Sequence, residues 1–309
     1  MGRSSSTIRV WLILAMSLLV LVSALAAGGR LLSDSNADPA AEESDQPPLD
    51  TSCAQTADRL RRQLGTECQI LSRPPFVLGG DLAANDLARW HATTIAPAAA
   101  AMRASYFRTP PTRPITVLMF HDHDNYERYS EQLFAARGVS RFGYYKPNER
   151  TVMVSLATGE GPLLHELTHA LMDFDFPEAR AWLSEGLASL HERCELRQEA
   201  RGPCLAGLSN WRLSGLQTLA HRGRLRPIAE LVAAISFSGP LEGAHYAQAR
   251  YFCLYLQRQG LLERIVHEMR GQREDDPSGR ETLARVLGEN AWARVDEDFL
   301  RFMLGLDPS

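Results

Sequence analysis

His165 and His169 stand four residues apart in Gly161-Pro162-Leu163-Leu164-His165-Glu166-Leu167-Thr168-His169-Ala170-Leu171-Met172-Asp173. Leu164, Leu167 and Leu171 recur at helical spacing, and Pro162 suits a first helical turn. In a helix, a spacing of four stacks both imidazoles on one face, one turn apart. Both rings can then reach a single zinc ion at about 2.0–2.1 Å. Glu166 is offset by one residue, so it stands beside such a metal and takes a proton from water instead of ligating.

A catalytic zinc usually has three protein ligands and one position left for water. Sixteen residues beyond His169 comes Glu185, in Ala181-Trp182-Leu183-Ser184-Glu185-Gly186-Leu187-Ala188-Ser189-Leu190. Leu183, Leu187 and Leu190 mark the buried face of a second helix. Phe176-Pro177-Glu178 breaks the first helix and leaves room for a reversal. The two helices are expected to run roughly antiparallel, which turns Glu185 toward His165 and His169.

His165-Glu166-x-x-His169 followed by Trp182-Leu183-x-Glu185-Gly186-x-Ala188 resembles the gluzincin class of zinc metallopeptidases, the thermolysin and aminopeptidase N superfamily. The Gly143-Tyr144-Tyr145 hairpin, the Asn210-Trp211-Arg212 run and the Tyr246-to-Tyr251 helix are similar to bacterial proteins with a peptidase MA-like domain. The resemblance covers roughly residues 75–305. It implies a zincin-like catalytic domain in which a small mixed sheet precedes a mostly helical C-terminal part. It also implies peptide-bond hydrolysis, with His165, His169 and Glu185 on zinc and Glu166 as general base.

In the resembling families a Tyr or His from a later helix stabilises the oxyanion. Here that points to Tyr246, with His245 as the other candidate. Departures are visible. The spacer between His169 and Glu185 is shorter than in either named family. The Gly-x-Met-Glu-Asn motif that binds a substrate amino terminus in aminopeptidase N-like enzymes is absent. Ser189 stands where thermolysin-like enzymes carry a carboxylate behind the third ligand. Asp173, one turn after His169, could orient a ligand or face solvent. The competing reading is a non-catalytic exported peptide-binding or envelope-assembly module that keeps a structural zinc. Retention of Glu166 favours catalysis.

Other segments must position these residues. Asp81 to about Met102 reads as a helix, and Ile115-Thr116-Val117-Leu118-Met119-Phe120 as a strand. Asp122 or Asp124 caps a helix through Tyr126, Tyr129 and Leu133. Gly143-Tyr144-Tyr145 and Thr151 to Leu156 flank a turn and form a hairpin. From Gly161 onward the chain reads as almost wholly helical. The sum is an α+β fold. If Thr151 to Leu156 forms the sheet edge above the cleft, an extended substrate could add to it. Arg212 and Arg250 could meet a substrate carboxylate. His121-Asp122-His123-Asp124 reads as a polar loop and helix cap rather than a metal site.

The amino-terminal segment says where this chemistry would occur. Arg3 and Arg9 precede an uncharged apolar run from Val10 to Ala27 with the small-residue site Ala24-Leu25-Ala26. Residues 1–27 are therefore a cleaved export signal or an uncleaved membrane anchor. No Cys ends the run, which argues against a lipoprotein. Residues 28–52 are rich in Ser, Asp, Glu, Pro and Ala and read as a disordered acidic linker. Residues 53–309 then form the metallopeptidase domain, with an α/β part to about 175 and a helical part from about 178. The protein is expected outside the cytoplasm, periplasmic or extracellular, with residues 10–27 as its means of membrane attachment if they stay.

The expected partner is a protein or peptide substrate. A net charge of -4 argues against a generalised nucleic-acid binder, which needs a basic field to displace counterions. An oxidising compartment suggests two bridges, Cys53–Cys68 and Cys194–Cys204, with Cys253 as a buried free thiol. Spacing leaves the oligomeric state open.

Overall fold

The computed structural model describes residues 47–288 and 292–307. In order, the elements are α1 (Leu49–Leu64), β1 (Gln69–Arg73), β2 (Phe76–Gly80), α2 (Ala84–Trp90), α3 (Ala96–Ser105), β3 (Ile115–Phe120), α4 (His123–Phe134), β4 (Gly143–Lys146), β5 (Thr151–Ser155), α5 (Gly161–Asp175) and α6 (Ala181–His191). Then follow β6 (Cys194–Glu199), β7 (Gly202–Gly207), α7 (Arg212–His221), α8 (Ile228–Ala233), α9 (Glu242–Arg258), α10 (Leu262–Gly271), α11 (Arg280–Leu287) and α12 (Trp292–Leu304). This is an α+β fold, as the element pattern implied.

One mixed sheet has the order β1-β2-β3-β5-β4. β2, β3 and β5 run parallel, while β1 and β4 are antiparallel to their neighbours. Parallel strands are covered on both faces, so β3 is apolar throughout apart from Thr116. Leu78, Val117, Met119, Val152 and Val154 pack with Leu163, Leu167 and Leu171 of α5 in the main core. The alternate residues Val77, Leu118, Phe120 and Met153 face α1 and α4, meeting Leu60, Leu64, Tyr126 and Tyr129. The sheet therefore holds α5 by the face opposite its histidines.

α6 folds back on α5 after the break at Phe176, and α9 lies closely along α6. Gly186 permits that approach: a Cβ there would stand 2.8 Å from both the Ala249 carbonyl oxygen and Cys253 Sγ. Ala249, Tyr251, Phe252, Cys253, Leu254 and Leu256 of α9 are all fully buried. Apart from Gln248 and Arg250, the central turns of α9 are apolar on every side and belong in a core.

Several expectations need correction. The hairpin Gly143–Ser155 forms, but β5 is interior and β4 is the sheet edge. The turn folds β4 onto the outer flank of β5, using up that flank's hydrogen-bonding groups. The C-terminal part is not wholly helical, because β6 and β7 form an antiparallel ribbon between α6 and α7. β6 carries charged residues on exposed positions and β7 is mostly small residues, so no apolar periodicity announces them. α1 begins at Leu49, inside the stretch assigned to the linker. Cys53, Ala57, Leu60 and Leu64 give α1 a buried stripe that anchors it to the sheet.

The cysteine pairing is also corrected: all five thiols are free. In the β6–β7 ribbon Cys194 faces Gly207 and Cys204 faces Arg197. Cys194 and Arg197 are three apart on one strand, so Cys194 and Cys204 point to opposite faces. Their separation along the ribbon, about 10 Å, also exceeds what a disulfide spans. Cys53 and Cys68 are buried in the same small core as unlinked thiols. Cys253 is buried, as read from its helix. The apolar run Val10 to Ala27 and residues 28–46 lie outside the described residues. Among the described residues no helix is long and apolar enough to cross a membrane.

Candidate metal centre

α5 and α6 bring His165, His169 and Glu185 together. The Nε2 atoms of the two histidines are 3.2 Å apart. Glu185 Oε2 stands 3.6 Å from each. A tetrahedral ion with ligands at about 2.0–2.1 Å spaces them about 3.3–3.4 Å apart. The triangle matches that spacing to within a few tenths of an ångström. Two imidazoles and one carboxylate are a donor set suited to zinc and its neighbours. Among the described residues, this is the group of His, Cys, Asp and Glu side chains that could hold a metal ion. Its side chains remain 15%, 17% and 25% exposed, so the centre opens to solvent on one side.

The outward nitrogens are held as well. Glu192 Oε1 lies 3.0 Å from His165 Nδ1. Ser184 Oγ lies 3.3 Å from His169 Nδ1. A ring that donates from Nδ1 keeps the Nε2 lone pair for a metal. Arg212 donates to the same Glu192 oxygen at 2.8 Å and fixes the carboxylate. Its guanidinium lies 4.5 Å from the ring centroid of Trp211, which is 67% exposed.

Charge at the centre is organised around a cation. Burial pulls the His165 ring down, but hydrogen bonds that the ring donates to the Glu185 and Glu192 carboxylates win and drive it well above the usual histidine range. Burial raises Glu185, yet His169 and His165 hold its carboxylate far below the ordinary value. Glu192 is likewise held low, against burial, by His165, Arg212 and Arg250. Glu166 moves the other way. Burial raises it, and Glu185 and Glu192 add to that, while the two histidines only partly offset them. The site thus keeps ionised carboxylates in contact with the histidines and one more basic carboxylate beside them.

Glu166 also touches the sheet edge. A Cβ on Gly143 of β4 would stand 3.5 Å from Glu166 Cγ, and 2.8 Å from the Met153 carbonyl oxygen. Glycine is needed there for the pairing with β5, since the Cβ would also stand 2.8 Å from Val154 Cγ1, whereas 3.5 Å from Glu166 is ordinary contact. Behind α5, Thr168 Oγ1 bonds the Leu164 carbonyl at 2.7 Å and meets His191 Nδ1 at 2.9 Å. Burial, with help from Arg250 and His165, lowers His191 to about 3, so that ring is neutral.

The remaining candidates each meet groups of their own. Tyr246 sits on α9, one turn before Ala249, with its ring edge-on to Phe237 at 5.4 Å. His245 lies 5.7 Å from the same ring. Arg250 does not face a cleft. It is fully buried and donates to the carbonyls of Leu208 and Arg193. Arg212 is engaged by Glu192 and is not free for a substrate carboxylate. Asp173 accepts from the Tyr145 hydroxyl at 2.9 Å, tying α5 to β4. At His121-Asp122-His123-Asp124, Asp122 caps α4 and His121 meets Asp81.

Glu192 and Ser184 went unread in the sequence. A signal existed for Glu192: it lies seven residues after Glu185, two helical turns along the same face. No protein-family model matches the chain, and no curated protein matches it.

Proposed function

We propose that this chain is a zinc-dependent metallopeptidase of gluzincin type, exported from the cytoplasm and acting on protein or peptide substrates. The carrying observation is the open triangle of His165 Nε2, His169 Nε2 and Glu185 Oε2 with Glu166 beside it. A structural zinc site is closed by four protein ligands, whereas this one has three and a solvent-facing side. Bound zinc would supply Lewis acidity to a carbonyl oxygen and lower the pKa of the attacking water.

The protein's own groups do the rest. Glu166, raised by burial, accepts a proton from water and returns it to the leaving amine nitrogen. Glu192 and Ser184 hold the two imidazoles in register. The edge of β4, next to Glu166, offers backbone groups to an extended peptide. Tyr246 is assigned as the oxyanion donor, with His245 as the alternative. Export rests on the apolar run after Arg9, acting as signal or anchor.

The test is a paired measurement on wild type and Glu166→Gln. Both should carry about one zinc per chain. Wild type should cleave a peptide library, and Glu166→Gln should lose about 10²–10⁴-fold in rate. Equal turnover in both proteins, or zinc-free wild type, would refute the assignment. Full zinc occupancy with no cleavage by wild type would favour a binding module.

A further inference from the structure

The fold treats the two flanks of the β6–β7 ribbon differently. In the ribbon Cys194 faces Gly207 and Glu199 faces Gly202. Leu208 N donates to the Arg193 carbonyl at 3.0 Å, which continues the same register. Hydrogen-bonded pairs alternate along an antiparallel ribbon. Arg193, Glu195, Arg197 and Glu199 therefore direct their backbone groups at β7, while Leu196 and Gln198 turn theirs outward. The outward flank of β7 is closed. Pro203 has no N–H there, and the Gln257 side chain donates to the Leu205 carbonyl at 2.8 Å and accepts from Gly207 N at 2.8 Å. The outward flank of β6 is open: among the described residues, nothing bonds the N–H or C=O of Leu196 or Gln198. Arg193 and the residues from Glu195 to Glu199 are all exposed. An edge of this kind accepts a further strand.

The charges along β6 say which strand fits. Arg193, Glu195, Arg197 and Glu199 share one face and alternate in sign. Leu196 lies on the other face and is 49% exposed. Like charges would guard such an edge. Alternating charges instead match the same strand turned round. Two copies of β6 related by a twofold axis pair antiparallel only where outward-bonding residues meet one another. With the axis at Leu196, Glu195 meets Arg197 of the second copy and Arg193 meets its Glu199, each twice by symmetry. With the axis at Glu195 or at Arg197, like charges meet throughout. With the axis at Gln198, only Arg197 to Glu199 of the strand overlap.

We propose that β6 is a self-association edge, at which two copies of this chain join through an antiparallel β6–β6 pair centred on Leu196. The two ribbons become one sheet in the order β7-β6-β6-β7, with about six new backbone hydrogen bonds. Leu196 packs against its symmetry mate on one face. On the other face Glu195 and Arg197 already touch within the strand, at 2.7 Å. Pairing turns that contact into a ring of alternating charges in which each guanidinium has a carboxylate on either side. Exposed ion pairs contribute little singly, so the ring sets the register more than the strength. The contact is small, which places the association in the weak, reversible class.

The experiment is cysteine cross-linking of the full chain, read on non-reducing gels after mild treatment with oxidised glutathione. At the twofold axis the paired Cα atoms are about 5.5 Å apart, inside the range a disulfide spans. Leu196→Cys should therefore give a disulfide-linked dimer at micromolar concentration, above the background from the native free thiols of the wild type. Ala200→Cys, exposed as well, stands about 26 Å from its mate in this register and should stay monomeric. In the Leu196→Cys background, Glu195→Arg sets like charges opposite one another at the seam. The concentration at half cross-linking should rise about tenfold. Adding Arg197→Glu restores the alternation and with it the yield. Circular dichroism checks that these variants, all at exposed positions, stay folded. The proposal is overturned if Leu196→Cys cross-links no better than Ala200→Cys, which is also the outcome if the amino-terminal segment covers this edge. It is equally overturned if Glu195→Arg has no effect, since the copies would then meet through another surface, or if Arg197→Glu deepens the loss instead of reversing it.

Discussion

Glu192 Oε1 lies 3.0 Å from His165 Nδ1, on the side of the ring away from the converging Nε2 atoms. The same oxygen is held by Arg212 at 2.8 Å. Orientation of His165 therefore depends on a residue two turns beyond Glu185 and on a helix further along the chain. Glu192→Gln keeps the shape but removes the charge that raises the basicity of the ring. We expect zinc affinity to fall by about 10–100-fold, measured by chelator competition. Unchanged affinity would mean that Glu192 merely neutralises Arg212.

Tyr246→Phe removes a hydroxyl and keeps the ring that packs on Phe237. The expected outcome is a fall in kcat of about 10²–10³ with KM and zinc content kept, the pattern of a donor used mainly in the transition state. A normal kcat would transfer the role to His245, to be checked with His245→Gln.

At Gly186 two effects oppose. Glycine to alanine inside a helix gains about 1 kcal/mol of propensity. The new Cβ would sit 2.8 Å from the Ala249 carbonyl oxygen and from Cys253 Sγ, and forcing α6 and α9 apart costs about 1–3 kcal/mol. Backbone cannot yield as a side chain can, so the clash wins. Gly186→Ala should melt at lower temperature and bind zinc less tightly, because Glu185 moves with the helix. A Tm equal to or above that of wild type would contradict this packing.

Asp175 carries a pH dependence. It accepts from the amides of Arg108 and Thr109 at 3.1 and 2.7 Å and pairs with Arg270. Burial raises its carboxyl, but the Thr109 and Arg270 contacts prevail and hold it below the ordinary aspartate value. A lowered carboxyl stabilises the fold above the unfolded value near 3.9 and loses that contribution as pH falls through the folded one. Urea midpoints should therefore drop below about pH 4 in wild type. Asp175→Asn should lose about 3 kcal/mol at neutral pH and show a flatter acid limb. Parallel pH profiles for the two proteins would remove Asp175 from the acid response.

Much of the centre was legible in the chain because it is made by local geometry. A spacing of four on a helix places His165 and His169 side by side whatever surrounds them. The leucines at helical spacing around them say which face is buried, and a proline break followed by a second amphipathic helix brings Glu185 back. The apolar run before His121 and the turn at Pro147 likewise reveal β3 and the β4–β5 hairpin, since strand and turn signals are short-range.

Long-range pairing decided the rest. That β4 rather than β5 is the edge follows from the order in which strands join the sheet, which depends on partners far along the chain. Cys194 and Cys204 are near in sequence, but the register of their ribbon turns them to opposite faces. Arg250 looks like any charged residue on a helix until α9 is buried on all sides. Glu192 orients His165 only because α6 packs antiparallel to α5, and Arg212 reaches it only because α7 follows the ribbon. Helical spacing determined which residues could share a metal. Tertiary packing, which sets distances between groups that the chain separates, determined what holds those residues in place.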